Sequence, residues 1–231
     1  MSIGTNIKRL REERRYTQEQ IAEALGISFQ AVSSWERDEY KPDTDKLMKL
    51  AEFLDVSVSA IDYAVEAHEG QKRKKSGIPY IYHPLNLACH ALSMDIIEDE
   101  IIAACMLHDV VEDCGRKLED LPVNGETKEL VMLLTKEETT EENREKVIGS
   151  YYNEIAKNPK AALIKCIDRC NNLTTMSWGL SRDKIYRMIR ETEEYYPALL
   201  NAVKATPEYN SAAWLLKYQI ESMLDIYKRL M

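Results

Sequence analysis

The sequence has few of the residues that interrupt helices: eight Gly and seven Pro in 231 residues. Strings of short strands joined by Gly- and Pro-rich turns are therefore excluded as its main architecture. Aliphatic and charged residues recurring every three to four positions predict an all-α protein instead. A long apolar run is also missing. The longest, Ile101 to Leu107, is seven residues, whereas a membrane helix needs about 20. The opening MSIGTNIKRLREERR has no apolar stretch of the kind a secretory signal requires. Paired cysteines are absent too. Cys89, Cys105, Cys114, Cys166 and Cys170 are odd in number and form no C-x-x-C pair, which predicts reduced thiols and a cytoplasmic setting. Positive charge is in deficit, with 31 basic against 39 acidic residues and a net charge of −8. That excludes a chain wrapped in nucleic acid by bulk charge and leaves only a local DNA-reading face.

What is present begins with a run of short, punctuated helices. Ile3, Ile7 and Leu10, followed by Arg11 to Arg15, predict one amphipathic helix. Thr17 and Gln20 form a capping-box pair at the head of TQEQIAEAL, and Gly26 is placed to end that helix. Ser28 caps FQAVSSWER, Pro42 stops it, and Asp43 or Thr44 opens a fourth helix with Leu47, Leu50, Ala51 and Leu54 on one face. Two helices joined by a Gly-containing turn, the second led by small polar residues, are a helix-turn-helix signature. Ser28, Gln30, Ala31, Ser33 and Ser34 leave the front of the third helix suited to base edges, and Gln18 at the head of the second is placed for a phosphate. The segment TQEQIAEALGISFQAVSSWERDEYKPD resembles the Cro/C1-type (XRE) helix-turn-helix family, which implies a DNA-binding domain over residues 1–60. That segment carries nine basic and eleven acidic residues, so weak, salt-sensitive binding strengthened by a homodimer is expected.

The first domain runs into the second without a Gly/Pro-rich linker. A helix with Ile61, Ala64, Val65 and His68 on one face leads to Gly70, predicting a stiff junction. Further helices are expected from Pro84, over 98–113, 127–135, 142–157, 159–176, 181–195 and 209–230, the one at 142 opening at Thr139-x-x-Glu142. Cys166 and Cys170, Trp178 and Trp214 read as packing residues.

The second constellation is a ligand set. His83, the pair His108-Asp109 and the distant Asp168 offer two nitrogens and two carboxylates to a divalent metal. A cation with open positions lowers the pKa of its water from about 15.7 towards about 7–10. Glu112 follows His108 by four residues and Asp113 follows Asp109 by four, so one helix would keep both carboxylates on the metal face. Asn172 stands four after Asp168. The run Lys72-Arg73-Lys74-Lys75 ahead of His83 suits phosphate oxygens.

The blocks AHEGQKRKKSGIPYIYHP, LHDVVEDC, ALIKCIDRCNNL and ETEEYYPAL closely resemble the HD-domain hydrolases of the RelA/SpoT (alarmone) family over residues 61–205. The resemblance implies Mn²⁺ held by His83, His108, Asp109 and Asp168, and Glu112 and Asp113 activating and placing the water. It implies Asn172 on the nucleotide, and Arg73, Lys74 and Lys75 on its phosphates. The implied reaction is hydrolysis of the 3′-diphosphate of ppGpp or pppGpp to GDP or GTP and pyrophosphate. Lys74 stands where the family has Arg, losing the planar fork that stacks on a base. That departure keeps open another phosphorylated nucleotide as substrate, or a regulator that senses one. The 26 residues after 205 have no room for the synthetase domain of bifunctional members, so a hydrolase-only form is expected. Residues 206–231 would be a helix packing on the HD domain.

Overall fold

The computed structural model describes residues 3–43, 46, 49–50, 58–73, 77–137 and 139–230. Among these the protein is all-α, and the only strand-like pairing is a single antiparallel bridge between Lys72 and Pro79. The chain divides into two compact units, residues 1–59 and 60–231.

In the first unit, α1 (Ile3–Glu13), α2 (Gln18–Leu25) and α3 (Phe29–Glu36) pack around Ile7, Ile21, Ala22, Val32, Trp35 and Leu50. α1 stops at Glu13, earlier than its basic run suggests, and Arg15 turns into the left-handed region at φ 59°. The start of α2 is locked by a reciprocal cap. Gln20 N–H donates to Thr17 Oγ1 at 3.2 Å, and Thr17 N–H donates to Gln20 Oε1 at 2.8 Å. Gly26, at φ 64°, ends α2 in a conformation that costs other residues about 1 kcal/mol. Ser28 Oγ accepts from Ala31 N–H at the head of α3. Asp43 Oδ1 accepts from Lys46 N–H, while Thr44, Leu47, Ala51 and Leu54 of the expected fourth helix lie outside the described residues.

The second unit begins in α4 (Val58–Ala67), whose Ala60 and Ala64 are buried in its core. α5 (Tyr82–Ser93) starts two residues before Pro84, which the first turn tolerates because its N–H would have no intrahelical partner. The single helix expected over 98–113 is two helices, α6 (Asp99–Leu107) and the short α7 (Val110–Cys114), with a turn at His108 and Asp109. Ile101 to Leu107 are all buried, so α6 has no solvent face and its short apolar run is core. α8 (Gly125–Leu134) is capped by Asn124. α9 (Arg144–Ile155) begins two residues later than the expected start at Glu142. Thr140 and Asn143 exchange side-chain-to-backbone bonds of 2.8 and 3.4 Å and set its start.

α10 (Pro159–Gly179) is the central helix. Asn158 caps it through the N–H groups of Lys160 and Ala161, and its residues from Ala161 to Ile164 are wholly buried. It packs against α5, α6, α8, α11 (Arg182–Ala205) and α12 (Asn210–Leu230). α11 passes through Pro197 to Ala205 rather than ending near 195. An interior Pro costs about 3 kcal/mol, and the burial of Tyr196, Leu199 and Val203 on either side offsets it at about 1.5–3 kcal/mol per large side chain. α12 buries Ala213, Leu216, Ile220, Leu224 and Tyr227. Cys166 and Cys170 are buried as packing residues. Trp214 is not: it is 69% exposed and stacks on Tyr218, one helical turn away. The Trp178 side chain lies outside the described set. Among the described residues no helix is long and apolar enough to cross a membrane.

Candidate metal centre

Three helices of the second unit deliver four ligand-type side chains to one point. His83 comes from the first turn of α5, His108 and Asp109 from the break between α6 and α7, and Asp168 from the middle of α10. His83 Nε2 lies 3.3 Å from Asp168 Oδ1 and 3.6 Å from Asp109 Oδ2. His108 Nε2 lies 3.0 Å from Asp109 Oδ2 and 4.0 Å from Asp168 Oδ1. The helix break is what brings adjacent residues 108 and 109 to the same point, since neighbours on an unbroken helix diverge by about 100°.

Hydrogen bonds fix which nitrogens face inward. Asn171 Oδ1 accepts from the Arg73 guanidinium at 3.2 Å, so it is the oxygen, and His83 Nδ1, 2.7 Å away, must donate to it. His108 Nδ1 donates to the Cys105 carbonyl at 2.9 Å. Both imidazoles therefore turn Nε2 towards the two aspartates, the orientation metal-bound histidines use. His108 Nε2 is buried and makes no hydrogen bond of its own. Burial disfavours charge on His108, but Asp109 and Asp168 more than offset this and push its pKa up to about 9. Burial likewise raises both carboxyls. His108 beside Asp109, and Lys165 beside Asp168, nevertheless hold them below the ordinary carboxylate range. Two ionised carboxylates and two ring nitrogens, one of them without a hydrogen bond, fit a divalent cation.

Three supporting residues escape a reading based on ligand types alone. Tyr80 donates from its hydroxyl to Asp109 Oδ2 at 2.6 Å. Lys165 donates to Asp168 Oδ2 at 3.1 Å. Asn171 orients His83 as described. Only Lys165, three residues before Asp168 on α10, bonds the ligand to which helical spacing points; Tyr80 and Asn171 serve ligands on other elements.

The other sequence-predicted residues are placed as follows. Asn172 donates to Asp168 Oδ1 at 2.6 Å and faces a cavity of about 960 Å³ also lined by Tyr80, Tyr82 and His83. Asp113 lines that cavity as well. Glu112 accepts from Lys136 N–H at 3.2 Å and does not line that cavity. The turn at 108–109 interrupts the helix between His108 and Glu112, whereas Asp113 N–H still bonds the Asp109 carbonyl at 2.7 Å and keeps that four-residue step helical. Arg73 lines the cavity, but its guanidinium is occupied by Thr175 at 2.8 Å and Asn171 at 3.2 Å. Lys74 and Lys75 lie outside the described residues.

In the first unit the candidate DNA face is partly engaged. The Gln18 amide donates one of its two N–H groups to Glu36 Oε2 at 2.6 Å. Glu36 also binds Arg11 at 2.6 Å, so that cation is internal. Ser33 Oγ accepts from Arg37, and Ser28 serves as the cap of α3. Gln30, Ala31 and Ser34 line a shallow surface with Trp35, Tyr40 and Lys41.

Comparison with known proteins agrees with this division. Residues 7–61 match a helix-turn-helix family model, and residues 60–203 match that of the HD domain. A guanosine-3′,5′-bis(diphosphate) 3′-pyrophosphohydrolase of Aquifex aeolicus is 30% identical over 172 residues, 70% of this chain and 22% of the relative. The bifunctional (p)ppGpp synthase/hydrolase SpoT of Escherichia coli is 36% identical over 147 residues, 59% of this chain and 20% of the relative. A GTP pyrophosphokinase of Myxococcus xanthus is 32% identical over 177 residues, 71% of this chain and 21% of the relative. The chain thus spans about a fifth of the length of these curated relatives. A solved structure described as a metazoan orthologue of SpoT that hydrolyses ppGpp superposes with a TM-score of 0.59 at 20% identity. The match covers 81% of this chain and 98% of that one, and supports the same fold. With the HD-domain model matching most of its length and the His, His-Asp, Asp centre assembled in the matched segment, the chain belongs to the HD-domain family.

Proposed function

We propose that this chain hydrolyses the 3′-diphosphate of ppGpp or pppGpp, giving GDP or GTP and pyrophosphate, in the reducing cytoplasm. The observation that carries the reading is the convergence of His83, His108, Asp109 and Asp168, each held by a second residue, at the edge of a cavity large enough for a nucleoside. These four would hold the divalent cation, most simply Mn²⁺. Such a cation would make water a nucleophile near neutral pH and offset phosphate charge.

The chain's own groups then have distinct tasks. Tyr80, Lys165 and Asn171 keep Asp109, Asp168 and His83 in place, and the Cys105 carbonyl does so for His108. Asp113, exposed on the cavity wall, accepts the proton of the attacking water. Oxygen attacks the phosphorus attached to the ribose 3′-oxygen, that P–O bond breaks, and the ribose oxygen takes up a proton. Glu112, one residue before Asp113 and bonded to Lys136, helps to place that water. Asn172 lies between Asp168 and the nucleotide, and the apolar cavity wall of Ile78, Met176 and Leu180 receives the nucleoside. The first unit would bring this activity to DNA through Gln30, Ala31 and Ser34 of α3, with two copies needed for useful affinity.

The test is incubation of the full chain with ppGpp and Mn²⁺, and with GTP, ATP and dGTP as alternative substrates. Pyrophosphate release from ppGpp, lost in Asp109→Ala, is expected. Activity on the triphosphates with none on ppGpp would replace this reading by that of another nucleotide hydrolase.

A further inference from the structure

The outer face of α12 carries an aromatic pair that no described residue covers. Inward, Ala213, Leu216, Ile220, Leu224 and Tyr227 recur at three- and four-residue steps and enter the core. Outward, Trp214 and Tyr218 stand one turn apart, 69% and 61% exposed, with ring centroids 5.9 Å apart and planes 4° from parallel. Further along the same face come Asp225 and Arg229, both exposed and joined at 2.8 Å. One half of the face is therefore aromatic and the other half charged. A single exposed hydrophobe needs no explanation. Two rings held flat beside each other make a surface, and protein interfaces are enriched in Trp, Tyr and Arg.

The face is complementary to itself. Two copies of α12 laid antiparallel, with a two-fold axis passing between Glu221 and Ser222, set Trp214 opposite Arg229 and Tyr218 opposite Asp225. Each contact then occurs twice, as an isologous interface requires. A guanidinium is attracted to the face of an indole ring, and a phenol hydroxyl donates to a carboxylate. A parallel pair would instead set like on like and lose both contacts. The Asp225–Arg229 ion pair does not oppose the antiparallel arrangement, because an exposed pair on one helix contributes little. At about 150–250 Å² per aromatic side chain, the exposed parts of the four rings bring roughly 400–650 Å² to the pair. A helix of 21 residues, about 30 Å long, adds its flanking side chains and brings the total to about the 1,000 Å² that a specific interface needs.

We propose that this face of α12 pairs antiparallel with the same face of a second copy of the chain, forming a homodimer. The pairing uses nothing at the metal centre, so it stands or falls separately from the hydrolase reading, and it supplies the two copies that DNA binding by the first unit calls for. The full chain is followed by sedimentation velocity between about 1 and 200 µM, the range in which an interface of this size should dissociate. A monomer–dimer equilibrium is expected. Trp214→Ala should weaken it at least about ten-fold, as loss of a central aromatic anchor does. Arg229→Glu should weaken it as well, with the helical circular-dichroism signal unchanged in both variants. The register is read by crosslinking in a Cys89→Ser background, which removes the exposed thiol. Ser222→Cys beside the axis should form a disulfide-linked dimer on mild oxidation. Ser211→Cys, about 30 Å from its copy in this register, should not. A dimer that Trp214→Ala leaves intact, or crosslinking through Ser211→Cys in preference to Ser222→Cys, overturns the proposal. So does a monomer at every concentration, which would assign the aromatic face to a different protein.

Discussion

At His83 and His108 the bond made by one ring nitrogen decides what the other can do. The Asn171 side-chain oxygen and the Cys105 carbonyl each take an Nδ1 proton, which leaves both Nε2 atoms as ligands. Replacing Asn171 by Leu should therefore weaken Mn²⁺ binding by about ten- to a hundred-fold without touching a ligand. Titration followed by electron paramagnetic resonance measures this, and wild-type affinity in the variant would mean that His83 is oriented by packing alone. A second residue-scale prediction concerns Arg169, which is buried, lies 4.6 Å from the Tyr196 ring centroid, and bonds Tyr152 and Glu191. Burial raises the Glu191 carboxyl, but Arg169 and Tyr152 hold it below its usual range overall. A depressed folded pKa means that the contribution is complete above the unfolded value of about 4.3 and is lost as pH falls through the folded one. Glu191→Gln should cost about 3 kcal/mol at pH 7, as expected when a buried pair is broken. In urea denaturation the deficit should stay constant down to about pH 5 and shrink only below about pH 4.

At the scale of elements, the caps were legible and the breaks were not. Thr17, Gln20, Gly26 and Ser28 act locally, within three or four residues, so their sequence pattern suffices. Thr17→Ala removes one half of the reciprocal cap and should lower the stability of the first unit by about 1 kcal/mol, readable as a fall in its thermal midpoint. The division of 98–113 into α6 and α7 has no Gly or Pro to announce it. It is fixed by tertiary demand, since His108 and Asp109 must both reach partners on α5 and α10. The bond from Lys136 N–H to Glu112, 24 residues away, is likewise a tertiary contact that helix spacing does not announce. Pro197 misleads in the opposite direction, because buried neighbours carry α11 through it. The four ligands could be read because their residue types are chemically distinctive. Tyr80, Lys165 and Asn171 could not, because a Tyr, a Lys or an Asn has many uses and only proximity assigns one.

Across the whole molecule the charge is unevenly spent. The first unit holds nine basic and eleven acidic residues, and Arg11 and Arg37 are paired with Glu36 and Glu39. Its affinity for duplex DNA should accordingly be weak and fall about ten- to fifty-fold between about 50 and 200 mM salt. Fluorescence anisotropy tests this, and salt-independent binding would contradict it. In the second unit net acidity coexists with a cleft of cations and a centre of two carboxylates, Asp168 buried and Asp109 half-buried. A site for one divalent cation at that centre, on which hydrolysis depends, is the central claim. It is tested most directly by stripping the chain of metal and titrating Mn²⁺ back while following pyrophosphate release from ppGpp. The account predicts no release from the stripped chain and recovery in proportion to Mn²⁺ bound at the four-residue centre. Release that persists in chelator, or Mn²⁺ binding that survives the His83→Ala and Asp168→Asn changes together, would contradict it.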